Sequence, residues 1–261
     1  LDIKLKQYGV DKVNSPIMLF LHGGGVSGWM WEPQMQHFSK HYHCIVPDLP
    51  GHGESLNAAN FSIQLCAAHL NELVSRIANG RTIVAVGFSL GAQVLLQMIS
   101  SKPDLIQYAM INSALIKPMP VAAKCISPLV KLSFPLIKLR AFAKLQAATL
   151  YIGPQFFEKY YAESVTMKRE VLIDVLRENM SFAIPNGYSN ARCKLLITVG
   201  EQEKAIMRRS AQELHQRNGN TTLKVFEGVG HGISLKDAEL FNDTLEQWLE
   251  QQMALGASSP R

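Results

Sequence analysis

Short, continuous apolar runs alternate with longer amphipathic stretches along most of this chain. Ile17–Leu21 (IMLFL), Cys44–Pro47, Thr82–Val86 and Tyr108–Ile111 carry almost no polar alternation, as expected of strands covered on both faces. Asp2–Tyr8 alternates like a further strand, and Lys194–Val199 and Thr222–Phe226 complete the set. Between them, Ile63, Cys66, Ala67, Leu70, Leu73, Val74 and Ile77 follow a 3.6-residue period that predicts a helix ending at Asn79-Gly80. Further helices are expected over Trp29–Lys40, Leu90–Ser101 and Ala205–Gln216, and around Phe241, Leu245, Trp248 and Leu249 near the end of the chain.

Buried strands alternating with helices imply an α/β fold, a mostly parallel central sheet with helices on both faces. The rhythm halts between residues 114 and 190. There Pro118, Pro120, Pro128, Pro135, Pro154 and Pro185 are scattered among helical segments, and the prolines are expected to break any continuous helix. This predicts a core of residues 1–113 and 191–261 with a helical insertion over 114–190.

Composition adds little to the pattern. With 261 residues, 47% hydrophobic and 18% charged, the chain can bury a large core. No apolar run approaches the length that spans a bilayer, and the first residues, LDIKLK, lack the basic and apolar regions of a signal peptide. A cytoplasmic location is therefore expected, although the chain begins without methionine and a segment ahead of Leu1 is left open. Cys44, Cys66, Cys125 and Cys193 are widely spaced in apolar contexts and read as buried, reduced thiols. The formal charge of +5 comes without a basic patch interleaved with aromatics, so nucleic acid is not an expected partner.

In open α/β sheets, ligands bind beyond the carboxyl ends of the strands, so the loops there are where chemistry is expected. The stretch VGFSLGA places Ser89 between Gly87 and Gly91, with a buried strand before it and a helix after it. A sharp strand-to-helix turn presents the middle hydroxyl above the sheet and needs small neighbours. A serine needs a base, and of the eight histidines His231 stands out. It lies in GVGHGIS, directly after a strand, whereas His69 and His215 fall within helices and His37, His41 and His43 cluster around one helix end. An orienting carboxylate is expected from the loop Gly200-Glu201-Gln202-Glu203. Both glutamates are candidates; the chain order Ser89, Glu203, His231 favours Glu203 by position, with Glu201 as competitor. Asp48 reads as a structural loop residue. The amide of Leu90 and those of the HGGG loop, His22–Gly25, can serve a developing oxyanion.

These motifs together resemble the α/β-hydrolases, in particular capped, esterase-like serine hydrolases. The likeness runs through LFLHGGG at 19–25, PDLPGHGES at 47–55, VGFSLGA at 86–92, LLITVGEQE at 195–203 and GVGHGIS at 228–234. It implies Ser89 as nucleophile, His231 as general base, backbone amides of Leu90 and Gly24 as oxyanion hole, and His22 as a loop-shaping residue that does not titrate in the mechanism. No cofactor or metal is implied. The usual acid of the family is an aspartate three residues after the glycine, whereas this chain has Glu203 there.

The resemblance makes 114–190 a cap that roofs the substrate pocket. Residues 114–157 hold six basic side chains and no acidic one, with Lys117, Lys124, Lys131 and Lys138 spaced by seven. The expectation is a cap whose lysines face solvent while its apolar side covers the pocket; a basic amphipathic surface for lipid headgroups or anionic substrates is the alternative. The expected activity is hydrolysis of a small-molecule ester with an apolar acyl part. Carbon–carbon bond hydrolysis with the same Ser-His-acid machinery is the runner-up, and a non-catalytic ligand-binding protein is the alternative from another class.

Overall fold

A computed structural model of the chain describes residues 3–9, 15–56 and 61–258. Seven strands form one sheet in the order β1-β3-β2-β4-β5-β6-β7. The strands are β1 (Leu5–Tyr8), β2 (Ile17–Leu21), β3 (His43–Pro47), β4 (Ile83–Phe88), β5 (Tyr108–Asn112), β6 (Lys194–Gly200) and β7 (Thr221–Phe226). Only β1 runs antiparallel, paired to β3; the other pairs are parallel. Asp2, the expected start of the first strand, lies outside the described residues.

The unbroken apolar runs are explained by two cores, one on each face of the sheet. Ile17, Leu19, Leu21, Ile83, Ala85, Ile111 and Ile197 point to one face. There they meet α2 (Ile63–Ala78), α3 (Leu90–Ser101) and α8 (Ala205–Arg217). Met18, Phe20, Val84, Val86, Met110 and Leu196 point to the other. That side is covered by α1 (Glu32–Phe38) and α10 (Ala238–Ser258). Because successive side chains alternate across a strand, a strand with both faces covered must be apolar at every position. Edge strands β1 and β7 are covered less and keep polar residues.

The predicted helix over Trp29–Lys40 divides into a 3-10 turn at Gly28–Trp31 and α1. Helix α2 stops where Asn79 takes the left-handed conformation, φ 43°. Four helices lie between β5 and β6: α4 (Pro120–Ser133), α5 (Arg140–Thr149), α6 (Pro154–Thr166) and α7 (Arg169–Ser181). A 3-10 turn, Phe134–Lys138, joins α4 to α5. Prolines open α4 and α6, where a missing amide costs nothing.

The structure corrects three sequence expectations. Pro128 lies inside α4 and does not end it; the position is exposed, so water can take the carbonyl that its missing N–H leaves free. Cys44, Cys66 and Cys193 are buried, but Cys125 is exposed on the outer side of α4. Finally, Pro120–Lys138 is long and apolar enough, by length and composition alone, to cross a bilayer. The span combines α4, which continues through Pro128, with the 3-10 turn that Pro135 opens, so the prolines divide it less than the sequence suggested. After the His231 loop, α9 (Ile233–Lys236) is a single helical turn.

Candidate active site

The turn between β4 and α3 forces Ser89 to φ 52°, ψ −110°. An L-residue reaches this region only at a cost of about 1–3 kcal/mol, so the surrounding structure must hold it there. The Ser89 amide donates to the Asn112 carbonyl of β5 at 2.9 Å. A Cβ on Gly91 would sit 2.2 Å from the Leu21 carbonyl oxygen, and one on Gly87 2.6 Å from that of Gly91. The two flanking glycines are therefore dictated by backbone crowding, and the turn projects Ser89 Oγ from the start of α3.

Opposite the hydroxyl, His231 Nε2 lies 3.1 Å from Ser89 Oγ, and His231 Nδ1 lies 2.7 Å from Glu203 Oε2. A carboxylate can only accept, so Nδ1 carries the proton and Nε2 turns its lone pair toward the serine. The Phe88 ring packs beside the imidazole, with centroids 4.9 Å apart. The acid and histidine loops are stitched together: the Glu201 amide donates to Phe226 O at 2.9 Å and the Gln202 amide to Val229 O at 2.8 Å.

Glu203 and Glu201 are separated by their surroundings. Glu203 is buried, and its Oε1 accepts from the Gly200 amide at 2.9 Å and the Ser113 hydroxyl at 2.7 Å. Burial opposes its ionisation, but His231 and these two donors outweigh burial and hold the carboxyl below its usual range. Glu201 is exposed and turned away; its Oε2 accepts from the Gly228 amide at 2.9 Å. The structure thus brings Ser89, His231 and Glu203 together and leaves Glu201 outside.

The HGGG loop is fixed by a fully buried His22. Its Nε2 accepts the Leu49 amide at 2.8 Å and its Nδ1–H donates to Gly23 O at 2.8 Å. Burial pulls its pKa down to about 4, so it stays neutral. Asp48 caps neighbouring turns, accepting from the amides of Gly28 and Glu54 at 2.8 and 2.9 Å. Gly24 and Leu90 face the same cavity as Ser89. A Cβ on Gly24 would lie 3.7 Å from Leu90 Cδ2, which places the two chain segments side by side.

That cavity measures about 380 Å³ and is roofed by the inserted helices. Val130, Ile137, Phe142, Leu150, Tyr160, Leu172, Val175 and Leu176 supply its apolar lining, and Ser133, Gln146, Thr149 and Asn179 its polar groups. No charged side chain is among the lining residues. Among the described residues, no group of three or more His, Cys, Asp or Glu is disposed to hold a metal ion.

Several contributing residues were not evident from the sequence. Ser113, at φ 57°, reaches Glu203 from the end of β5. The Tyr151 hydroxyl, from the loop after α5, accepts the Gly230 amide beside His231 at 3.0 Å. Glu163 of α6 accepts from Ser27 Oγ at 2.8 Å and Trp29 Nε1 at 2.9 Å, next to the HGGG loop. Burial raises the Glu163 pKa despite those two donors. All three contacts join residues far apart in sequence, so no local signal marked them.

Comparisons with known proteins agree with this architecture. The chain is 25% identical over 248 residues to an (E)-2-((N-methylformamido)methylene)succinate hydrolase from Acinetobacter baylyi, covering 89% of this chain and 90% of that protein. It is 24% identical over 259 residues to a putative carbamate hydrolase, RutD, from Stutzerimonas stutzeri, covering 94% and 96%. Among solved structures, an esterase from Exiguobacterium antarcticum superposes with a TM-score of 0.79 at 18% identity, covering 95% of each chain. Family-level similarity to the group described as "Alpha/beta hydrolase family" extends over residues 18–244. With that match spanning most of its length, the chain belongs to the alpha/beta hydrolase family.

Proposed function

We propose that the protein is a serine hydrolase that cleaves a small, uncharged ester with an apolar acyl part through an acyl-enzyme on Ser89. The observation that carries this reading is the continuous hydrogen-bonded line Ser89–His231–Glu203 at the floor of an uncharged, largely apolar cavity. His231 Nε2 takes the hydroxyl proton as Oγ attacks the ester carbonyl. The N–H groups of Gly24 and Leu90 stabilise the oxyanion, and helix α3 adds the favourable end of its dipole. Collapse of the tetrahedral intermediate expels the alcohol, which receives its proton from His231. A water molecule, deprotonated by the same nitrogen, then releases the acid and restores Ser89.

Glu203 holds the imidazole in the tautomer this sequence requires and stabilises the imidazolium that forms. The inserted helices act as the cap: they exclude water and set which acyl groups enter. The acidic substrate named for the Acinetobacter relative would need a cation in the pocket, and none of its lining residues is one. The same lack weighs against carbon–carbon hydrolysis of substrates bearing carboxylates.

A fluorophosphonate probe tests the reading. Covalent labelling of the folded protein, lost in Ser89→Ala, is expected, together with turnover of neutral esters in a chain-length series. Folded protein that resists the probe would support a non-catalytic binding role; labelling that survives Ser89→Ala would remove the nucleophile assignment.

A further inference from the structure

The outer side of the inserted helices carries an unusual surface. Of the ten large hydrophobic side chains exposed among the described residues, six lie between residues 121 and 145, so the exposure is concentrated in one place. They are Val121, Leu129, Leu132, Leu136, Leu139 and Leu145, with Leu132 82% and Val121 76% exposed. The inner side of α4 is satisfied by Ala123, Ile126 and Val130, which are buried. The outer apolar stripe is therefore additional to what packing needs. On the 3.6-residue period, Val121, Cys125, Pro128 and Leu132 form its centre, with Lys124 and Lys131 along one edge. Lys138 and Lys144 extend the basic character onto the following turn and α5, and both are exposed.

Charge identifies what covers this face. Residues 114–157 contain six basic side chains and no acidic one. Lys117 pairs with Glu213 and Arg140 with Glu158, whereas Lys124, Lys131 and Lys138 form no ion pair among the described residues. A second copy docking face to face would set these lysines against their equivalents. An anionic lipid surface complements them, and its acyl boundary accepts the leucines between them; apolar side chains flanked by lysines are the pattern of a helix lying in the bilayer interface.

We propose that the outer face of α4 and the turn that follows docks this protein peripherally on anionic membranes. The same segment that presents Leu129, Leu132 and Leu136 outward presents Val130, Ser133 and Ile137 to the cavity above Ser89. Docking therefore holds the pocket roof at the lipid boundary. The interaction itself does not require catalysis, so it stands or falls separately from the ester reading.

Flotation of the purified chain with phosphatidylcholine vesicles, with and without phosphatidylglycerol, tests the proposal. Binding is expected to the phosphatidylglycerol vesicles and to weaken as salt rises. The Lys124→Gln/Lys131→Gln/Lys138→Gln variant is expected to bind roughly a hundredfold more weakly, since each basic residue near an anionic surface contributes about fivefold. Leu129→Ser/Leu132→Ser should lose on the order of tenfold or more through lost apolar burial. All five side chains are exposed, so an unchanged thermal unfolding midpoint confirms that the variants fold. Failure to float with anionic vesicles, or equal flotation of wild type and both variants, overturns the proposal. Self-association by sedimentation that Leu132→Glu abolishes, without vesicle binding, would instead make the face a dimer interface.

Discussion

Glu203 is buried and yet held ionised, and the proposed chemistry depends on that combination. Its two donors and His231 outweigh a burial that opposes ionisation. In the proposed mechanism, Glu203→Ala lowers kcat by about ten-thousandfold, as loss of tautomer control does in Ser-His-acid enzymes. Glu201→Ala is expected to change kcat by no more than a few-fold, because that carboxylate meets only the Gly228 amide; steady-state kinetics on one neutral ester compares them. The lowered pKa also has a stability consequence. A carboxyl whose folded pKa lies below its unfolded value stabilises the fold above the unfolded pKa and loses that contribution as pH falls through the folded one. Urea unfolding on the acid side of neutrality should therefore show a shallower loss of stability in Glu203→Gln than in wild type. The spacing after Gly200 offered two glutamates and favoured Glu203 by position; burial, and the arrival of Ser113 from another strand, set them physically apart.

Between elements, the inserted helices are tied to the core at both ends of the site. Tyr151 holds the His231 loop through Gly230, and Glu163 holds Ser27 and Trp29 beside the HGGG loop. Tyr151→Phe leaves the Gly230 amide unpaired, at a cost of about 1–3 kcal/mol. The expected result is a kcat lowered on the order of tenfold with KM little changed, and rescue is not expected from any residue lacking a hydroxyl. Glu163→Ala orphans two donors at once and should lower the thermal unfolding midpoint by several degrees. At the β4–α3 junction, Gly91→Ala drives a methyl into the Leu21 carbonyl; loss of soluble folded protein is expected in a circular dichroism assay. The elements themselves were largely legible: β2 and α3 have the bounds that periodicity predicts. The anchors were not, because their partners lie 79 to 136 positions apart in the chain.

At the scale of the whole molecule, the sheet serves two cores, and the faces of each strand answer to different helices. Phe20 packs near Trp31 and Phe38, with ring centroids 5.2 and 6.1 Å apart, so Phe20→Ala should destabilise by about 3–5 kcal/mol in urea unfolding. The sequence by itself determined the strand order along the chain, the parallel character and the loops that carry Ser89, His231 and Glu203. It could do so because burial on two faces writes continuous apolar runs, and a sharp turn demands small residues around the serine. Only the tertiary structure decided which glutamate meets the imidazole and how the inserted helices meet the core. It also decided that the apolar residues of α4 divide between a pocket roof and an outward face. Those outcomes depend on contacts between distant segments, and neither periodicity nor spacing records which side of an apolar helix finds a partner.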